Sequence, residues 1–154
     1  MAKNLSSTIN NIKIRILIVN DEPDILFGLS ALLEGHGHFV KTFDDPAQAL
    51  EHIASGDVDY DLVITDYRMP GGISGLDLAK RVKEHETRKG GRGGRRKTKV
   101  FLMSAFDIMS LPKLNEPDLN EAAKSEIVDE IIQKPIPNDK LIAIIESNFL
   151  HNNH

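Results

Sequence analysis

A short apolar run that ends at a carboxylate constrains the fold of this chain more than any other feature. Residues 61–70 read DLVITDYRMP, in which Leu62 to Ile64 are apolar and no helical periodicity follows. Such a run is typical of a strand that is buried on both faces, as in parallel α/β sheets. Open parallel sheets bind their ligands at the carboxyl ends of the strands, so Asp66 is the first candidate functional residue. A strand-end Asp also often marks only the point where a strand meets water.

The rest of the chain alternates apolar runs of strand length with amphipathic segments of helix length. Further strands are predicted at 12–20, 38–43, 99–104 and 127–134. Helices are predicted at 23–34, 47–55, 75–89, within 106–125 and at 138–150. Because right-handed crossovers place helices on either side of a parallel sheet, the alternation predicts one α/β domain, a five-stranded parallel sheet with helices on both faces.

Local signals mark where the predicted helices begin and which faces they bury. Pro23 suits the first turn of a helix, and either Asp44 or Asp45 suits the N-cap of the second helix. Ser74 is the predicted N-cap of the third. Apolar spacing predicts that the second helix buries Ala47, Leu50 and Ile53.

The charge of the chain gives no reason to expect a polyanionic partner. Asp and Glu number 23 against 19 Lys and Arg, for a formal net charge of −4. The exception is 88–99, a basic, glycine-rich segment without any acid. Because no aromatic residue accompanies the bases, we predict a solvated surface loop rather than a nucleic-acid site.

Composition also argues against disulfides and membrane spans. The chain has no cysteine, and its longest apolar runs are far too short to cross a bilayer. Six histidines lie mostly in predicted turns and at the C-terminus, which are poor scaffolds for a transition metal. We therefore expect a cytoplasmic protein that has no membrane partner.

Polar residues follow several of the predicted strands, at the same edge of the predicted sheet. Asn20 and Asp21 follow the first strand, Asp66 ends the third, Ser104 the fourth and Lys134 the fifth. Two carboxylates suit Mg²⁺, whereas a hydroxyl and an ammonium suit the oxygens of a phosphoryl group. A carboxylate can also act as a nucleophile and form an aspartyl phosphate. The edge therefore predicts a site for phosphoryl chemistry.

At these positions the chain resembles the receiver domains of two-component response regulators, such as the chemotaxis regulator. Four segments carry the resemblance in the family's order: ILIVNDEPD, DLVITDYRMP, FLMSA and QKP. The resemblance implies a flavodoxin-like fold with strand order 2-1-3-4-5 over residues 14–150, between flexible tails at 1–13 and 151–154.

The same resemblance implies a role for each strand-end residue. Asp66 would be the phosphoacceptor, and Lys134 and Ser104 would contact the phosphoryl group. Mg²⁺ would be held by Asp21, Asp66 and the backbone carbonyl of Arg68. The phosphodonor would be a sensor histidine kinase or a histidine phosphotransfer protein, and output would be binding to a protein target that the sequence does not identify.

Two departures from the family pattern leave an alternative open. Asn20 stands where relatives usually carry a second acid, so it would hold the metal only through water. Ile131 stands where many relatives carry an aromatic residue that rotates on activation. Both suggest a pseudo-receiver, an interaction module that phosphate does not switch. A phosphohydrolase of the haloacid dehalogenase type is a third reading, but it usually needs an Asp where this chain has Arg68.

The residues two positions beyond Asp66 and Ser104 predict the lifetime of a phosphorylated state. In receivers these positions flank the approach of the hydrolytic water, and here they are Arg68 and Phe106. Neither side chain orients a water as a carboxylate or amide does. We therefore predict slow self-dephosphorylation.

Overall fold

The structure, a computed structural model, describes residues 12–56, 58–69, 71–88, 98–105 and 127–150. Almost all of the predicted tails and of the basic segment 88–99 lie outside the described residues, as do Phe106 and the helix predicted within 106–125. No helix in the described part is long and apolar enough to cross a membrane.

Parallel strands form a single sheet in the predicted order, and helices cover both of its faces. The strands pair in the order β2-β1-β3-β4-β5. They span β1 Arg15–Val19, β2 Phe39–Phe43, β3 Leu62–Asp66, β4 Lys99–Ser104 and β5 Glu130–Gln133. The described helices are α1 Pro23–Gly35, α2 Pro46–Ser55, α3 Gly75–Arg88 and α4 Asn138–Leu150. The predicted α/β fold is confirmed, although β5 ends one residue before Lys134.

Two apolar cores lie on opposite faces of the sheet, because successive strand residues point to opposite sides. Leu17 and Val63 contribute to the core under α2 and α3, while Ile16 and Ile64 contribute to the core on the other face. All five residues of β3 are buried, as expected for a central strand covered on both sides.

Side-chain caps fix the starts of α2 and α3. Asp45 Oδ1 accepts a hydrogen bond from the Ala47 N–H at 2.9 Å, so Asp45, and not Asp44, is the N-cap of α2. At α3, Ser74 Oγ accepts from the Asp77 N–H at 3.1 Å, and Asp77 Oδ2 accepts from the Ser74 N–H at 2.9 Å. This reciprocal capping confirms the predicted Ser74 cap.

The predicted buried face of α2 was wrong at its first residue. Ala47 is exposed, and the helix buries Pro46 and Ala49 together with the predicted Ile53, while the predicted Leu50 is partly buried. A helical residue is turned by about 100° from its neighbour, so an error of one position moves a side chain off the buried stripe.

Side-chain atoms accept hydrogen bonds from backbone N–H groups at the edge of the sheet where the strands begin. Asp61 Oδ2 accepts from the Arg15 N–H at 2.8 Å, and Asp129 Oδ2 accepts from the Val100 N–H at 2.8 Å. His38 Nδ1 accepts from the Ile14 N–H at 3.2 Å. These contacts satisfy backbone donors at this edge.

Candidate functional site

The register of the sheet brings the predicted site residues to one edge. Val19 pairs with Thr65, so Asn20 follows β1 at the level where Asp66 ends β3. Asp66 pairs with Met103, and Ser104 follows on β4. In turn Ser104 pairs with Gln133, which places Lys134 just beyond the end of β5.

Asp66 is a buried carboxylate paired with a lysine. The residue is 6% exposed, and its Oδ1 lies 2.7 Å from Nζ of Lys134. Nevertheless, no group in the described part of the chain gives this buried oxygen a hydrogen bond of ordinary geometry. Charge attraction holds this pair, although the geometry of the contact is not that of an ordinary hydrogen bond. Oδ1 therefore keeps the capacity to accept a further ligand.

A cavity of about 150 Å³ opens beside this pair. Its lining comprises Asp66, Tyr67, Arg68, Met103, Ser104, Ala105 and Lys134. A water molecule takes about 30 Å³ of liquid volume, so the cavity has room for several waters or for a tetrahedral oxyanion. It combines an acceptor, a hydroxyl and a cation, as the sequence predicted.

Backbone hydrogen bonds brace the loop that follows Asp66. The Tyr67 N–H donates to the Met103 carbonyl at 2.8 Å, and the Gly75 N–H donates to the Tyr67 carbonyl at 2.8 Å. Between them, Gly71 and Gly72 have φ of 95° and 82°, the left-handed region that glycine adopts without steric cost. The loop therefore turns back so that α3 begins beside the end of β3.

Asn20 is built into the turn between β1 and α1. It is buried at 1% exposure, and its Oδ1 accepts from the Glu22 N–H at 2.9 Å. Its own N–H donates to the Phe43 carbonyl at 3.1 Å. Asp21 follows as a partly exposed carboxylate. The amide of Asn20 thus holds the backbone that presents Asp21.

Comparisons with known proteins identify the family of this chain. A family described as the response regulator receiver domain matches residues 16–146. The chain belongs to the response regulator receiver domain family. The transcriptional regulatory protein DltR of Streptococcus agalactiae is 34% identical over 131 residues, which are 85% of this chain and 50% of DltR. The receiver thus spans about half the length of the first curated relatives it matches.

Solved structures give the same result for the fold. The response regulator TrrA of Thermotoga maritima, in complex with Mg²⁺ and BeF, has a TM-score of 0.63 and 29% identity, over 86% of this receiver and 96% of that chain. The chemotaxis protein CheY4 of Vibrio cholerae has a TM-score of 0.66 and 18% identity, over 88% of this receiver and 98% of that chain. At the latter identity, the likeness concerns the fold alone.

The donor set of the receiver fits Mg²⁺. Asp66 offers a buried oxygen that lies 2.7 Å from Lys134 Nζ but receives no hydrogen bond of ordinary geometry from the described residues, and Asp21 offers a second carboxylate. In the described part of the chain, no three His, Cys, Asp or Glu side chains converge as a closed metal cage. Mg²⁺ seldom uses such a cage, because it keeps several waters and takes only one or two carboxylates.

The predicted dephosphorylation residues are only partly described. Arg68 is exposed and lines the cavity, with its Cζ 5.9 Å from the ring centroid of Tyr67. Phe106 lies outside the described residues. Ile131, at the aromatic position of many relatives, is partly buried and packs against the core under α2 and α3.

Sequence reasoning missed two residues that shape the site. Tyr67 is buried at 6% exposure and braces the loop through its backbone, and Gly75 packs against Asp66. Glycine as the first residue of a helix, directly after its N-cap, was the available signal for Gly75. Such a glycine adds no helix propensity, so its presence indicates a close backbone approach.

Proposed function

We propose that this receiver accepts a phosphoryl group on Asp66 from a phosphohistidine and then signals by binding a protein partner. The observation that carries the proposal is the buried Asp66 carboxylate, 2.7 Å from Lys134 and open to the cavity. A carboxylate in such a place can act as a nucleophile, and the lysine ammonium beside it can offset the negative charge of the phosphorylated product. We place this activity in the cytoplasm, with a sensor histidine kinase or a histidine phosphotransfer protein as the donor.

In the transfer step, an oxygen of Asp66 forms a bond to phosphorus. The phosphorus–nitrogen bond to the donor imidazole breaks, and its electron pair stays on that nitrogen, which takes up a proton. Lys134 offsets charge on the phosphoryl oxygens, because its ammonium already lies at the nucleophile. The Ser104 hydroxyl lines the same cavity and donates to one of those oxygens.

Asp21, Asp66 and the Arg68 carbonyl are the groups that would hold Mg²⁺, with Asn20 contributing at most through water. The ion supplies positive charge that stabilises the transferring phosphoryl group. The receiver's own residues do the rest: the brace at Tyr67 and the pair with Lys134 fix where the nucleophile lies. Hydrolysis reverses the modification when water attacks phosphorus and the bond to the Asp66 oxygen breaks.

Two observations favour the pseudo-receiver as a second candidate. Asn20 uses its amide oxygen within the turn, and it brings no charge to the metal-binding edge. Ile131 is a partly buried aliphatic residue that packs against the core, and it cannot report on the site as a rotating aromatic ring would. A pseudo-receiver keeps the fold and binds its partner regardless of phosphate.

Incubation with the small-molecule donor phosphoramidate, with and without Mg²⁺, separates the two candidates. The proposed function expects a hydroxylamine-sensitive label that requires Mg²⁺ and is lost in Asp66→Asn. Asp139→Asn, at an exposed carboxylate in the first turn of α4, is the matched control and keeps the label. A wild-type chain that takes no label, or an Asp66→Asn chain that keeps it, contradicts the assignment.

A further inference from the structure

The first residue of α3 packs directly against the backbone of Asp66. Gly75 is buried, and a Cβ at this position would lie 2.2 Å from the Asp66 carbonyl oxygen and 3.0 Å from the carbonyl carbon. Real Cβ atoms essentially never approach a heavy atom closer than 3.0 Å. Any side chain here would therefore displace either Asp66 or the start of α3.

A second contact prevents a Cβ at position 75 from avoiding this clash by a small shift. The same Cβ would lie 2.6 Å from Cδ1 of Leu102, a fully buried side chain on β4. In addition, the Gly75 N–H donates to the carbonyl of Tyr67, the residue after Asp66. The start of α3 is thus tied by a hydrogen bond to the segment that a side chain would push away. Close-packed interiors transmit such a displacement rather than absorb it.

We infer that Gly75 is a positioning residue for the phosphoacceptor, and the inference rests on the function proposed above. Its missing side chain lets α3 begin against Asp66, so that the carboxylate reaches both Lys134 and the cavity. Gly75 touches no phosphoryl group and acts only through the backbone of Asp66. A misplacement of about 1 Å at a reacting group can cost about 100-fold in rate.

Gly75→Ala tests the inference, with Gly28→Ala as the matched control. A methyl group at Gly28, on an exposed position of α1, meets none of the residues that the structure describes within 4 Å. We expect the rate of labelling by phosphoramidate in Mg²⁺ to fall by about 100-fold in Gly75→Ala and to stay unchanged in Gly28→Ala. Equal labelling of wild type and Gly75→Ala overturns this inference alone. A wild type without label overturns the proposed function and the inference with it.

A double variant separates the contact with Asp66 from general packing. Gly75→Ala combined with Leu102→Val removes the conflict at Cδ1 of Leu102 and leaves the conflict with the Asp66 carbonyl. Labelling that stays slow in the double variant supports positioning through Asp66. Labelling restored to the wild-type rate shows that the loss came from crowding against β4, which overturns the inference.

A measurement on the wild-type protein decides the question even if Gly75→Ala does not fold. Beryllofluoride with Mg²⁺ serves as the probe for the phosphoryl site in an amide NMR titration. We expect the Gly75 amide signal to shift together with that of Tyr67, because the two residues share a hydrogen bond beside Asp66. The Gly28 amide is the internal control. A Gly75 signal that stays fixed while the Tyr67 signal moves overturns the inference.

Discussion

The ammonium of Lys134 lies 2.7 Å from Oδ1 of Asp66, although their strands are not neighbours in the sheet. Asp66 ends β3, and Lys134 follows β5, so the lysine reaches across the end of β4. The pair therefore joins separate parts of the chain at the cavity, and it joins the proposed phosphoacceptor to the cation proposed to bind the phosphoryl group.

Removal of the lysine charge should destabilise the metal-free protein. In Lys134→Met, the buried Asp66 carboxylate loses its ion partner, and we expect the free energy of unfolding to fall by about 1–3 kcal/mol. The lower part of the range allows for the 24% exposure of the lysine side chain. Denaturant unfolding in a chelator measures the change.

Controls assign this loss to the ion pair. In an Asp66→Asn background the same Lys134→Met change should cost much less, because no buried charge is left without a partner. Lys140→Met, at an exposed lysine on α4, should have little effect. A loss of equal size in both backgrounds would show that Lys134 stabilises the fold through its packing.

A second acid at position 20 should tighten Mg²⁺ binding. Asn20→Asp keeps an oxygen that can accept from the Glu22 N–H, so the turn into α1 should persist. The added charge lies next to Asp21, and we expect the Mg²⁺ dissociation constant to fall by about threefold or more. Calorimetric titration measures it, and Asp24→Asn on the exposed side of α1 serves as a charge control. Unchanged or weaker Mg²⁺ binding in Asn20→Asp would contradict the expectation.

The strand ends could be predicted from the sequence because each is marked by local chemistry. An apolar run that stops at Asp66 or Ser104 marks the end of a strand, and parallel strands bring those ends to one edge. Gly75 at the start of α3 signals a close backbone approach, but the sequence could not identify Asp66 as the group approached, because only tertiary packing sets that distance. The structural role of Asn20 could not be predicted either. The sequence indicates only a weakened metal ligand, whereas the structure shows that the amide oxygen accepts a hydrogen bond from the Glu22 N–H.

The lifetime of the phosphorylated state should depend on Arg68. Its exposed side chain lines the cavity beside Asp66, where it can cover a phosphoryl group from water. We expect Arg68→Asn to speed self-dephosphorylation by about tenfold, because an amide can orient the attacking water. Decay of the purified phosphoprotein in Mg²⁺ measures the rate.

Phe106→Glu extends this test to the second position that the resemblance to other receivers implies. The carboxylate can take up a proton from the attacking water, so Phe106→Glu should add to the effect of Arg68→Asn. Arg81→Gln, at an exposed site on α3, controls for the loss of one arginine charge. Decay that is unchanged or slower in both variants would show that these positions do not control access of water.

Stability should fall in mild acid because of His38. Burial, reinforced by the positive charge of His36, lowers the pKa of His38 from its ordinary value of 6.5. In the folded chain the neutral ring accepts from the Ile14 N–H, which a protonated Nδ1 cannot do. Between the lowered pKa and 6.5 the unfolded chain binds more protons than the folded chain, so the free energy of unfolding falls as the pH drops through this window. Above 6.5 the contribution is present in full.

His38→Asn isolates this contribution from those of the other titrating groups. The asparagine oxygen can accept from the Ile14 N–H but does not titrate, so the variant should lose less stability than the wild type on acidification from about pH 7.5 to pH 5.5. His36→Gln should give a smaller change in the same direction, because burial is the larger cause of the shift. Glu146, which lines a separate small cavity together with His36 and His38, stays in place in both variants. Denaturant unfolding at each pH measures the difference, and parallel pH profiles for wild type and His38→Asn would show that His38 is not the group that responds.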